Sequence, residues 1–212
     1  MRQTSCACGL VSANMGEVEF WNQPIDTGDF PEPNSHFDVI VVGGGPGGSA
    51  AAGYLAMEGK RVLLIEKGVW PRDKVCGDAV GGKSLGHVKA LGVKAKLESS
   101  PHFRVNGIVF SSPNGSSVRV ALPEEDVEKM EAGYSLPRQQ FDWILFERAT
   151  ALVLENGGSV IQGGDVREVK TSEDGSTITG VDVRIGGRKG EMFSYNADWT
   201  VGAGGYQCPV AK

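Results

Sequence analysis

Gly43-Gly44-Gly45-Pro46-Gly47-Gly48 is the segment of this chain whose residue types and spacing most clearly do chemistry. Gly43, Gly45 and Gly48 stand at the positions of a G-x-G-x-x-G pattern, and Pro46 and Gly47 complete the turn. Each of the three glycines answers a separate physical demand. The first permits a tight turn, the second lets the backbone approach a pyrophosphate, and the third lets a helix pack closely on a strand. Free N–H groups at the start of that helix then meet phosphate charge. Glu66 follows about 20 residues on, at the end of the next apolar run, where a carboxylate accepts hydrogen bonds from a ribose diol. Ala52, a turn into the helix, is small where helix and strand must approach. In a chain with 31 glycines among 212 residues the pattern alone is weak evidence. The bland alternative is a glycine-rich turn joining any strand and helix, with Glu66 solvated. Strand, turn, helix, strand and acid fall in the required order, and this favours the dinucleotide reading. The glycines do not separate NAD from FAD.

The elements that must position these residues can be read around them. Phe37-Asp38-Val39-Ile40-Val41-Val42 is a short β-branched run, the Ala-rich segment 49–59 reads as a helix, and Arg61-Val62-Leu63-Leu64-Ile65 as a second strand. A continuous apolar run without alternation suits the middle of a parallel sheet. A helix is expected over 84–91. Runs at 105–110 and 118–120 flank Asn114-Gly115, a hairpin signal. The clearest helix spans 138–156, with Phe141, Ile144, Leu145, Ala149, Leu152 and Val153 on one stripe and Gly157-Gly158 to stop it. Short strands are expected at 159–162, 166–171, 177–184 and 191–195, and a last run at 197–201 leads into Gly202-Ala203-Gly204-Gly205.

Composition narrows the classes. The chain is 40% hydrophobic and 22% charged, which is globular. Its net charge is −5, with no basic run, so a nucleic-acid partner is not expected. No apolar stretch approaches the roughly 20 residues of a membrane-spanning helix, and the N-terminus lacks the order of a signal peptide. Cys6, Cys8, Cys76 and Cys208 form no C-x-x-C pair, which suits reduced thiols and a cytoplasmic location. His36, His87 and His102 have no ligand spacing, so no metal is expected.

Four blocks together resemble one flavoprotein superfamily, that of the aromatic hydroxylases, halogenases and geranylgeranyl reductases. They are 38–66, then Pro71-Arg72-Asp73-Lys74-Val75-Cys76-Gly77-Asp78-Ala79-Val80, then 138–156, and finally 202–212. The Cys-Gly-Asp-Ala-Val block is the most specific, and with it the chain is most similar to archaeal-type geranylgeranyl reductases, which saturate isoprenoid chains of membrane lipids. The resemblance implies an α/β, Rossmann-like FAD-binding domain with a small antiparallel portion of a second domain. It implies FAD held by Gly43, Gly45, Pro46, Gly47, Gly48, Glu66 and Lys67, with Arg138 reaching the cofactor and Val166 beside the adenine. Cys76, Gly77 and Asp78 would lie near the isoalloxazine, with Cys76 the candidate to supply or orient a proton. Gly204 and Gly205 close the site. Gly204 stands where many relatives carry Asp, a departure shared with the archaeal-type reductases. The implied partners are an isoprenoid lipid and an electron donor, ferredoxin or NAD(P)H, and a lipid substrate is compatible with peripheral membrane contact.

Three parts are expected: a flexible extension at 1–36, an FAD-binding domain from 37–100 and 137–212, and a hairpin segment at 101–136 belonging to an incomplete substrate domain. Two strands alone are marginally stable, so the chain reads as an N-terminal fragment. Two other readings stay open: an FAD-dependent monooxygenase of the aromatic hydroxylase type, and a non-catalytic FAD-binding module. A NAD-dependent dehydrogenase would explain the glycines but not 76–80 or 202–206.

Overall fold

A computed structural model of the chain describes residues 20–76, 78–129 and 132–211. Cys6, Cys8 and Gly77 therefore lie outside the described residues. Strand β1 (His36–Val42) is followed by helix α1 (Pro46–Met57) and strand β2 (Val62–Glu66). After β2 the chain makes a run of short elements: β3 (Ala79–Val80), α2 (Ser84–Ala90), α3 (Lys94–Ser99), β4 (Phe103–Arg104), β5 (Gly107–Ser111), β6 (Ser117–Ala121), α4 (Glu124–Glu128) and β7 (Tyr134–Ser135). It then returns through α5 (Arg138–Glu155), β8 (Ser159–Gln162), β9 (Gly164–Thr171), β10 (Ile178–Ile185) and β11 (Glu191–Gly202).

The main sheet has six strands in the order β8-β2-β1-β11-β10-β9. β1 pairs in parallel with both β2 and β11, and β2 with β8. Sequence had separated 191–195 from 197–201, yet they form one twelve-residue strand. Asn196 is where it changes partners: it faces His36 on β1 and Gly180 on β10. One strand thus belongs to a parallel and an antiparallel pairing at once, and no local signal marks that.

The unbroken apolar runs of β1 and β2 are explained by two cores. Val39, Val41, Val62 and Leu64 face α1 and α5, among Ala52, Phe146, Ala149 and Val153. Ile40, Val42, Leu63 and Ile65 face the other way, against Val166, Val181, Val183 and Tyr195 of the antiparallel strands. Burial of both faces removes the alternation that a one-sided strand shows. Helix α5 is more deeply set than its stripe implied, because every residue from Gln140 to Phe146 is buried, Asp142 included.

The described part of the expected extension packs against the domain. Phe20–Asn22 form a 3₁₀ turn, Ile25 is buried, and two side chains of the domain clasp the backbone. Trp143 Nε1 donates to Gln23 O at 2.8 Å, and Gln162 Nε2 to Ile25 O at 2.8 Å. The segment lacks periodicity because its polar groups are met by side chains from elsewhere in the fold. The β5–β6 hairpin is present, with Gly115 at φ +87° in its turn. Ile108 pairs with Val120 and Phe110 with Val118, and all four remain 49–59% exposed. Its apolar face has no cover among the described residues.

Candidate functional site

The glycine turn follows from contacts at two positions. Gly43 has φ +108°, and a β-carbon there would lie 2.5 Å from the Ala203 carbonyl oxygen. A β-carbon on Gly48 would lie 1.7 Å from the Gly43 oxygen, so the helix can start this close to the strand only without one. Gly45 and Gly47 differ: a β-carbon on either meets nothing within 4 Å. They need no room for the protein itself, and the space in front of them is free for a ligand. Gly45 is the N-cap of α1 and no side chain caps the helix, so the first N–H groups of α1 are open to an anion.

Glu66 ends β2 and is buried. Its Oε2 accepts the Gly44 N–H at 2.6 Å and its Oε1 the Gly68 N–H at 2.8 Å. An ionised carboxylate has about four lone-pair sites, so these bonds orient the group and leave capacity for a diol. Arg72 Nε lies 3.3 Å from Oε1, though off the hydrogen-bond line, so that this buried nitrogen has no aligned acceptor. Gly43, Glu66, Lys67, Asp165, Val166, Arg167, Gly204 and Cys208 line one cleft of about 470 Å³. Five residues singled out in the sequence, Gly43, Glu66, Lys67, Val166 and Gly204, are thus brought together.

Three cations converge on Asp165 at that cleft: Lys67 at 3.2 Å, Arg167 at 3.2 Å and Arg184 at 3.0 Å. Partial burial works to raise the Asp165 carboxyl, but Lys67 and Arg167 outweigh it and hold it below the usual carboxylate range. Gly204 lies against Cys208, whose Cβ and Sγ would be 3.3 Å from any added β-carbon. Glycine suits this crowded place. Gly205, at φ +76°, points the same missing atom toward Lys74 Nζ at 3.8 Å.

Arg138, Asp78 and Cys76 form a second group that does not line this cleft. Asp78 Oδ1 accepts the Arg138 N–H at 3.2 Å, and the Asp78 carbonyl accepts from Leu136, fixing the start of α5. The Arg138 guanidinium holds Asp142 with two bonds, Nε to Oδ1 at 2.7 Å and Nη2 to Oδ2 at 2.9 Å. The Asp142 hydrogen bonds push Arg138 further above its ordinary value against partial desolvation, and the neighbouring Cys76 acts in the same direction. Cys76 itself is exposed. Sequence reading missed Asp142, Arg72, Asp165 and Arg184. Only Asp142 carried a signal, four residues after Arg138 on one helix face.

A strand–turn–helix with open glycines, an uncapped helix start and an oriented acid at the next strand end defines a dinucleotide-binding α/β domain. The chain belongs to the FAD binding domain family, whose model matches residues 36–212. It is 33% identical over 186 residues to digeranylgeranylglycerophospholipid reductase 2 of Methanococcoides burtonii, covering 84% of this chain and 40% of that protein. It is 47% identical over 88 residues to conditioned medium factor receptor 1 of Dictyostelium discoideum, covering 41% of this chain and 17% of that protein. A geranylgeranyl bacteriochlorophyll reductase-like structure from Thermoplasma acidophilum superposes with a TM-score of 0.59 at 26% identity, covering 78% of this chain and 38% of that one. The chain spans well under half the length of these relatives. FAD is the family's cofactor, and the residues present fit it. The ground in front of Gly45 and Gly47 is open. The acid is oriented by the Gly44 and Gly68 N–H groups and keeps acceptor capacity.

Proposed function

We propose that this chain is the FAD-binding part of an oxidoreductase that reduces isoprenoid double bonds of lipids. The observation that carries the reading is the reach of the likeness to a reductase of such lipids, 33% identity over 84% of the chain. That stretch takes in the Cys76–Val80 block as well as the glycine turn. FAD, when bound, supplies two-electron transfer. The chain's own residues do the rest. The open N–H groups of α1 and the bare backbone at Gly45 and Gly47 receive the pyrophosphate, with Gly43, Pro46 and Gly48 shaping the turn. Glu66 receives the ribose, with Lys67 and Val166 at the adenine side. Arg138, held by Asp142, sits toward the flavin, and Gly204 and Gly205 leave room along the cofactor. Cys76 offers an S–H beside the Arg138 guanidinium and is the proposed proton donor to the second alkene carbon. An isolated alkene has no polar handle, so the reaction needs a dry wall over the flavin. The apolar face of the β5–β6 hairpin is the proposed contribution of residues 101–136 to it.

Reduced ferredoxin or a nicotinamide would supply the electrons, and a cytoplasmic, membrane-peripheral location fits a lipid substrate. No helix among the described residues is long and apolar enough to cross a membrane. The test begins with the purified chain incubated with FAD and desalted. A retained flavin absorption band is expected. Chemically reduced holoprotein is then given a geranylgeranyl lipid without oxygen, and the product is weighed by mass spectrometry. Gain of two hydrogens per double bond supports the proposal. NAD(P)H-driven oxygen uptake with a hydroxylated product would replace it with a monooxygenase, and retained FAD without turnover in the full-length protein would leave a binding module.

A further inference from the structure

The cleft group and the Arg138 group described above are joined by one side chain. Arg72 Nε lies 3.3 Å from Glu66 Oε1, and Arg72 Nη1 lies 3.7 Å from Asp142 Oδ2. Asp142 in turn grips Arg138 through two bonds and is only 1% exposed at its side chain. The row Glu66–Arg72–Asp142–Arg138 alternates in sign and is neutral in sum. Two features hold Arg72 in place. Its guanidinium lies 4.4 Å over the Trp70 ring, a stacking contact that planar guanidinium favours. Gly68 clears its path, since a β-carbon there would be 2.7 Å from Arg72 Cδ.

We propose that Arg72 is a positioning residue that couples the two ends of the cofactor site, tying the ribose acid Glu66 to the flavin-side Arg138 through Asp142. The proposal rests on the FAD site assigned above. A group that draws on Glu66 moves its charge relative to Arg72. Arg72 is shared with Asp142 in a poorly solvated setting where such interactions reinforce one another, and Asp142 sets where Arg138 points. The unaligned Arg72 Nε is the slack in this row: a small shift of the Glu66 carboxylate would bring it into line and complete the bond. A lysine carries the charge but lacks the planar fork that spans two carboxylates.

The experiment is a double-mutant cycle on FAD affinity, read by quenching of flavin fluorescence. Glu66→Gln, Arg138→Gln and the pair are compared in the natural chain and again with Arg72→Lys. Each apoprotein is checked by circular dichroism and thermal melting. In the natural background the paired loss is expected to differ from the product of the single losses by roughly fivefold or more, as for residues in one network. With Arg72→Lys the losses should multiply to within about a factor of two, as for independent sites. Equal coupling in both backgrounds overturns the proposal, as does a natural background without coupling. If Glu66→Gln and Arg138→Gln each leave affinity unchanged, it is the site assignment that fails. Should Arg72→Lys not fold, Asp142→Asn breaks the same row at its other joint and is expected to abolish the coupling equally. A role in stability alone would lower melting temperatures without removing the coupling.

Discussion

Four of the five glycines of the turn, Gly43, Gly45, Gly47 and Gly48, look alike in sequence and should respond to alanine in two opposite ways. At Gly48 the new β-carbon would lie 1.7 Å from the Gly43 carbonyl oxygen, a backbone atom that cannot swing aside. Overpacking of this kind costs about 1–3 kcal/mol, and here the upper end applies because strand and helix must both move. For a domain of this size each kcal/mol lowers the melting temperature by about 2–4 °C. Gly48→Ala is therefore expected to melt roughly 6–12 °C below the natural chain. Gly43→Ala joins it, since φ +108° and a contact of 2.5 Å both oppose a side chain. Gly47→Ala should behave otherwise. It lies in the first turn of α1 with nothing within 4 Å of a new β-carbon, and helix propensity favours alanine there by up to about 1 kcal/mol. Gly45→Ala meets no atom either and has an ordinary φ of −71°. Both variants should stay folded while filling the space proposed for the pyrophosphate. Loss of charge-assisted hydrogen bonds worth about 1.5–3 kcal/mol would weaken FAD binding roughly 10- to 150-fold. Calorimetry of the apoproteins and fluorescence titration with FAD measure the two effects separately. An unchanged melt for Gly48→Ala would refute the packing argument. Full FAD affinity in Gly45→Ala would remove the pyrophosphate from the front of this helix.

Three further outcomes are expected. Burial, and then the charge and hydrogen bond of Glu98, push the Tyr134 hydroxyl up to about 12 from 10.0. The folded value is the raised one, so the Tyr134 contribution is intact below pH 10 and is lost as the pH rises toward 12; because burial also raises the Tyr195 hydroxyl, Tyr134→Phe should lessen the fall in alkaline melts rather than remove it. Cys76 is exposed, so Cys76→Ala should melt as the natural chain does, while reductase turnover in the intact protein drops about 100-fold if it delivers the proton; unchanged turnover removes it from the mechanism. In the β5–β6 hairpin, Phe110→Ser should shift stability by no more than about 0.5 kcal/mol, because the ring is already 59% exposed. A large drop in chemical denaturation would mean that the apolar face is covered in solution.

The parts of the site that depend on neighbours in the chain were legible from the sequence. A glycine turn, the helix it opens and the acid that ends the next strand lie within 43–66, and each is dictated by local backbone freedom, local polarity or strand length. The Asn114-Gly115 hairpin was legible for the same reason. Long-range contacts were not. Nothing at 191–202 states that one strand will pair in parallel on one side and antiparallel on the other, because pairing is a property of two segments. The clasp on Gln23 and Ile25 depends on side chains more than a hundred residues away. Arg72 and Asp142 gave little sign of their place, since a charged residue becomes informative only once burial forces it to find a partner. The sequence alone placed a glycine turn between a strand and a helix and an acid at the end of the next strand. The tertiary structure decided which of those glycines make room for the protein and which face open space. It also set four charges from three segments into one row beneath the site.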